Sequence, residues 1–227
     1  MGTVVLVQFD EDAYAEVPTA LRADGHCVHA VDRSRAAESI RAHSPDLVIL
    51  APTRSGADSF EVCRVVRSIS QTPILVLAAG DDEVDELMAF ASGADDYLPV
   101  SKSIRLLRAR VGALLRRSEP PEVSGLHAVG DLVVDTEMRR VTVGGAHLHL
   151  TRIEFELLVA LLENRHRVVP RSELIARIWG PWPGDDHVVE VHLSRMRNKI
   201  LAAGGPRLGE PSPGFGYRLG GPTARAV

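Results

Sequence analysis

The chain has 227 residues, with 26 lysine or arginine side chains against 30 aspartate or glutamate and a formal net charge of −4 at pH 7. Hydrophobic residues make up 45% and charged residues 25%, which fits one or two soluble globular domains and excludes a disordered or fibrous chain. No run approaches the length of about 18 apolar residues that a membrane-spanning helix needs. The two cysteines, Cys27 and Cys63, form no metal or redox spacing and read as reduced, structural residues of a cytosolic protein.

The charge is unevenly spread. Residues 1–118 carry 13 basic and 17 acidic side chains, whereas residues 160–227 carry 10 basic and 6 acidic. Positive surface is therefore expected near the C-terminus, a weak footprint for nucleic acid. The opening segment lacks a basic start and reads as a strand, not a signal peptide. Apolar strands are predicted at 4–8, 47–50 and 73–77, an alternating strand at 26–31 and a brief one at 96–98. Helical spacing is predicted at 13–23, 34–43, 59–68, 84–92 and 104–117. Five such repeats predict a parallel sheet covered on both faces, with ligands at the carboxyl ends of its strands.

Residues 118–127 hold Pro120-Pro121, Gly125 and charge, and read as a linker. Beyond them the period shortens, predicting strands at 129–134, 139–143 and 146–150, with Gly144-Gly145 as a hairpin turn. Thr151 followed by Glu154 forms a capping box. It opens a helix whose wide apolar face carries Phe155, Leu158, Val159, Leu161 and Leu162. A second helix is predicted from Ser172 to Trp179, a loop at 180–186 and a third helix at 187–200. A hairpin at 207–219 would complete a winged helix.

On the third helix Val189, Leu193, Met196 and Ile200 share one arc at about 100° per residue. The opposite arc carries His187, Val191, Ser194, Arg195 and Asn198, flanked by Val188, His192 and Lys199. Small residues, bidentate groups and cations suit a helix in a DNA major groove. On this helix alone a plain amphipathic helix with a solvated basic end stays open.

Longer motifs decide between the two. The C-terminal part contains Leu150-Thr-Arg-Ile-Glu-Phe-Glu-Leu-Leu158, Arg167-Val-Val-Pro-Arg-Ser-Glu-Leu174, Ile178-Trp-Gly180, Val188-Val-Glu-Val-His-Leu-Ser-Arg-Met-Arg197 and Gly214-Phe-Gly-Tyr-Arg-Leu219. The N-terminal part contains Pro45-Asp-Leu-Val-Ile-Leu50, Phe60-Glu-Val-Cys63 and Gly93-Ala-Asp-Asp-Tyr-Leu98. On these residues the chain to about 220 resembles OmpR/PhoB-type response regulators. The resemblance implies a flavodoxin-like (CheY-like) doubly wound receiver followed by an α+β winged helix-turn-helix. Residues 1–118 would form the receiver and dimerisation domain, 119–127 a linker, 128–220 the DNA-binding domain and 221–227 a flexible tail.

The receiver's chemistry departs from the family. Its phosphate-accepting Asp corresponds to Ala51, its paired metal-binding acids to Phe9 and Asp10, its hydroxyl residue to Ala78, and its Lys-Pro to Val100-Ser101. Phosphoryl transfer needs a carboxylate nucleophile, a divalent cation and a neutralising charge, so a pseudo-receiver without aspartyl phosphorylation is expected. Thr53, Ser55 and Asp58 in the following loop read as solvated or helix-capping residues, not substitutes. Phe9, Ala51, Pro52, Ala78 and Val100 leave two readings open: an apolar cleft for a small molecule, or a pocket closed by Phe9.

The resemblance also implies roles at the interfaces. Asp95, Asp96, Arg110 and Arg116 match the family's charged dimer face, and Met88 and Leu106 replace an ion pair there with apolar groups, so a homodimer independent of phosphorylation is expected. Double-stranded DNA would be read by Arg195 first, with Arg197, Val191, Ser194 and Glu190 beside it. Glu190 would orient Arg197 or read cytosine. His192, Lys199, Thr151, Arg171, Val188 and Arg218 would meet phosphates. Pro213 stands where an Arg often enters the minor groove, and Trp182 lies in the loop that faces RNA polymerase in relatives. His147 with His149, and His26 with His29, lack a third metal ligand at a recognisable spacing. No cofactor, metal, membrane contact or enzymatic activity is expected. Two other classes remain. One is an adaptor that binds proteins or a small molecule through 1–118, with DNA binding secondary. The other is a true phosphotransfer switch, against which Ala51 argues.

Overall fold

Runs of branched apolar residues with no polar alternation can only be buried on both faces, and the first half of the chain carries three of them, at 4–7, 47–51 and 74–78. The computed structural model describes residues 1–8, 14–51, 57–78, 80–99, 103–115, 125–180, 186–220 and 225–226, without the side chains of 57, 58, 225 and 226. It divides into two compact units, Met1–Arg116 and Arg117–Val227.

In the first unit the strands are Thr3–Gln8 (β1), Cys27–Asp32 (β2), Leu47–Ala51 (β3), Ile74–Ala78 (β4) and Asp96–Pro99 (β5). They pair in parallel in the order β2-β1-β3-β4-β5. Between them run Glu16–Ala23 (α1), Ala36–His43 (α2), Ala57–Ile69 (α3) and Glu83–Ser92 (α4), and Ile104–Leu115 (α5) follows β5. Every residue of β3 and of β4 is buried. The strand order reverses beside β1, so the switch point where such sheets hold ligands lies between the ends of β1 and β3. There Gln8 is in register with Ala51.

Local chemistry sets the helix ends. Asp82 caps α4 by accepting from the Val84 amide at 2.8 Å. Gly93 ends α4 at φ +116°, where a Cβ would lie 2.9 Å from Arg67 Cγ, so only glycine fits that exit.

The second unit opens with Leu126–Val129 (β6), Leu132–Asp135 (β7), Arg140–Val143 (β8) and Ala146–His147 (β9). Three helices follow, Arg152–Glu163 (α6), Arg171–Ile178 (α7) and His187–Ala202 (α8). The hairpin Glu210–Ser212 (β10) and Gly216–Arg218 (β11) closes the unit, and Arg225–Ala226 (β12) pairs antiparallel with β6. Three sequence expectations change here. Residues 126 and 127, read as linker, begin β6, and the strand predicted at 129–134 is a hairpin turning at Gly130-Asp131. The pattern hid the turn because Val129, Leu132 and Val134 all stay buried across it. Part of the tail predicted to be flexible is the edge strand β12. At Gly144-Gly145 both φ angles are positive, +55° and +83°, as a two-residue hairpin turn requires. Among the described residues no helix is long and apolar enough to cross a membrane.

Candidate nucleic-acid interface

The site is built on α8. Val188, Val189, His192, Leu193, Met196 and Ile200 are buried, and His187, Glu190 and Asn198 are exposed, with Val191 and Ser194 half-buried on the same arc. The inward stripe fixes the helix on the domain, and the outward stripe presents short polar groups. His192 is 0% exposed, its ring 5.8 Å from that of Trp179. The side chains of His192, Val188 and Thr151 therefore do not reach the surface, which corrects their expected phosphate contacts. Each lies on the inward arc or, for Thr151, inside the cap of α6.

The cap is where the two helices meet. Thr151 Oγ1 accepts from the Glu154 amide at 3.3 Å, and Glu154 Oε2 accepts from the Thr151 amide at 2.8 Å. The same carboxylate takes Lys199 Nζ at 2.6 Å and lies 3.5 Å from Arg195 Nε. Glu154 is fully buried, and a buried carboxylate is tolerated only with such partners. Two residues expected on DNA are thus drawn inward. Lys199 is held by Glu154, and Arg195, only 16% exposed, lies against it. Sequence spacing put Arg195 on the outer arc, but it sits at that arc's edge, within reach of the buried acid.

Arg197 is also engaged within the domain. Its Nε donates to the Leu208 carbonyl at 3.2 Å and its Nη2 to the Gly209 carbonyl at 2.5 Å. It fastens α8 to the start of the hairpin and does not project as a base reader. Glu190 meets Arg171 at 3.2 Å, not Arg197. Arg171 also donates to the Tyr217 hydroxyl at 3.3 Å and lies over its ring, while Arg218 pairs with Glu210 at 2.7 Å. Arg171 and Arg218 remain exposed. The hairpin is anchored by a reciprocal bridge, Val169 N to Tyr217 O at 2.7 Å and Tyr217 N to Val169 O at 2.9 Å. Sequence reading missed this clasp, the further partners of Glu154, and the exposed Phe215 at the tip of the hairpin. Only the Gly-Phe-Gly spacing hinted at the last.

In the first unit Ala51 and Ala78 are buried at the ends of β3 and β4. Phe9, Asp10, Val100, Arg116 and Trp182, with Pro52, Thr53, Ser55 and the side chain of Asp58, lie outside the described residues. The expected dimer-face charges are corrected. Asp95 accepts from Arg67 and from the Ile74 amide, and Asp96 meets Arg110 Nη1 at 3.2 Å. Asp95, Asp96 and Arg110 are buried, so they pair inside the unit instead of offering their charges to a partner. Burial pushes the Asp96 carboxyl up to about 7 although Arg110 pulls it down, and burial lowers Arg110. Leu106 packs against the unit's own core. Met88 stays exposed on α4, alongside Val84 and Leu87. Among the described residues no group of three metal-ligating side chains gathers.

Comparison with known proteins agrees with this layout. The family model described as "Transcriptional regulatory protein, C terminal" matches residues 145–219. The DNA-binding response regulator MtrA of Mycolicibacterium smegmatis is 37% identical over 222 residues, covering 96% of this chain and 97% of the relative. The response regulator MprA of Mycobacterium sp. (strain KMS) is 38% identical over 225 residues, covering 96% and 98%. A solved structure of a RitR mutant superposes with a TM-score of 0.76, covering 97% of this chain and 100% of that one, at 21% identity, a likeness of fold alone. With its sheet, its winged helix and these relatives over nearly its whole length, the chain belongs to the OmpR/PhoB family of DNA-binding response regulators.

Proposed function

We propose that the chain regulates transcription by reading DNA with the outward stripe of α8 and the hairpin, as a dimer on direct repeats, through a receiver that works without aspartyl phosphorylation. The observation that carries the last point is Ala51, buried at the end of β3 beside the switch point of the sheet. A methyl group cannot attack a phosphoryl donor, and it removes a ligand from any hard cation there. The outward stripe His187, Val191, Ser194 and Asn198 supports the base-reading role. Asn198 is suited to the bidentate edge of adenine, Val191 to a thymine methyl. With Arg195 and Lys199 drawn toward Glu154, base reading rests less on cations than the motif suggests. Dimer formation is supported by the exposed α4 stripe Val84, Leu87 and Met88, spaced i, i+3, i+4.

The test uses the full chain, never exposed to a phosphodonor, against genomic fragments at stated salt, with sedimentation of the same sample. Sequence-specific binding by a dimer is expected, and acetyl phosphate with Mg²⁺ should leave the affinity within about twofold and the intact mass unchanged. A phosphoryl mass increment accompanied by a tenfold or larger gain, about 1.4 kcal/mol, overturns phosphorylation independence.

A further inference from the structure

We infer that Phe215 is an apolar wedge that enters the DNA minor groove and opens a base step, an inference that rests on the DNA-reading role proposed above. Phe215 is 75% exposed, the largest apolar side chain left to solvent among the described residues of the second unit. An isolated exposed aromatic on a loose loop would mean little, but this one is held on a rigid tip. The Phe215 amide donates to the Ser212 carbonyl at 2.9 Å, closing a four-residue turn. Pro213 and Gly214, at φ +77°, occupy the two central positions that such a turn assigns to proline and glycine.

The next residue fixes the base of the tip. Gly216 has φ +141°, and a Cβ there would lie 2.1 Å from the Val169 carbonyl oxygen, so the hairpin is pressed against the segment that leads into α7. Arg197 fastens the other end of the hairpin to α8. The tip therefore stands at a set offset from the base-reading stripe, as a reader of the adjoining groove must.

Its chemistry matches the groove as well. Residues 211–217 carry no charge, so no carboxylate opposes the phosphates. Nothing lies within 4 Å of the position a Gly214 Cβ would take, so the tip projects into open space. Arg218, exposed beside it, faces Glu210 within the hairpin and can turn to a phosphate. Proteins that read the minor groove with apolar side chains insert Phe, Leu, Ile, Met or Pro between base steps, unstacking them and bending the duplex. Pro213 and Gly214 bring neither charge nor reach to the turn, which leaves Phe215 the tip side chain able to fill the groove.

The experiment uses a duplex recovered by the full chain from a randomised pool, labelled with a fluorescent purine analogue in the flank next to the core site. The wild-type chain should raise the analogue's emission by unstacking it and bend the duplex in a circular-permutation assay. Phe215→Ala should lose both effects and about tenfold in affinity, with an unchanged far-UV spectrum and melting point because the side chain supports no core. Phe215→Leu, still a wedge, should keep part of the bend. Equal emission, bend and affinity for Phe215→Ala and wild type overturn the inference. Loss of affinity with emission and bend retained also overturns it, since Phe215 would then touch DNA or a second protein surface without inserting. If the wild-type chain recovers no duplex from the pool, the DNA-reading role itself fails and the wedge falls with it. That result differs from a defect confined to Phe215→Ala.

Discussion

In the second unit the buried carboxylate of Glu154 answers a lysine, an arginine and a helix N-terminus together, whereas in the first unit Asp96 faces one buried guanidinium and the Tyr97 amide. Both carboxylates are almost without solvent. With one buried cation, desolvation wins at Asp96 and its carboxyl titrates at about 7. Desolvation opposes charge, and only several well-placed donors offset it. Glu154 acts as a rivet between α6 and α8, while Asp96 is a group that still exchanges its proton near neutrality.

The largest effect that would break this comparison is at the rivet. Glu154→Ala removes the carboxylate that holds Lys199 and lies against Arg195, together with half of the capping box, and should cost the second unit about 3–5 kcal/mol. Both tryptophans lie in that unit, so their emission in urea reports it, and an unmoved midpoint would show that Glu154 is no rivet. Next comes Asp96. Its folded value of about 7 lies above the ordinary 3.8, so the native state keeps a proton that the unfolded chain gives up. That contribution is fully present below about pH 4 and is lost as pH rises through 7, about 4 kcal/mol over the window. Asp96→Asn should flatten the dependence, read as the part of the ellipticity transition that tryptophan emission does not follow. A wild-type stability of the first unit that rises over this window would reverse the assignment.

A smaller effect sharpens the comparison on the DNA side. Asn198→Ala should cost about 1–2 kcal/mol at the cognate duplex and relax base preference without moving the tryptophan midpoint. Arg195→Ala should move both, because Arg195 lies against Glu154. If Arg195→Ala changes affinity alone, the guanidinium leaves Glu154 on binding and reads a base. The smallest effect concerns α4. Met88→Ala should weaken self-association by about 1 kcal/mol, measured by sedimentation over a concentration series, and an unchanged equilibrium would remove this face from the dimer.

Much of the architecture could be read from local pattern. The all-apolar strands, the Thr151–Glu154 box, Gly93 after α4 and the paired glycines after β8 each state a local geometry. Patterns that continue through a break were misread, as at Gly130-Asp131, where burial keeps its alternation across the turn. The site was less legible because its decisive contacts are distant in sequence. Lys199 lies 45 residues from Glu154, and a helical wheel cannot say whether an arginine at the edge of an arc turns to solvent or to a buried acid. The family resemblance put Asp95, Asp96 and Arg110 on an interface, when each closes a pair within the unit.

The fastening of the hairpin to α8 through Arg197, and to the α7 segment through Val169 and Tyr217, has a kinetic consequence. A reading head that arrives already assembled has little internal ordering left to do on DNA. Its arrival should be governed by encounter and salt and be nearly the same for good and poor sites. Discrimination would then lie in residence time, so that a cognate site differs from its neighbours chiefly in how slowly the chain leaves it.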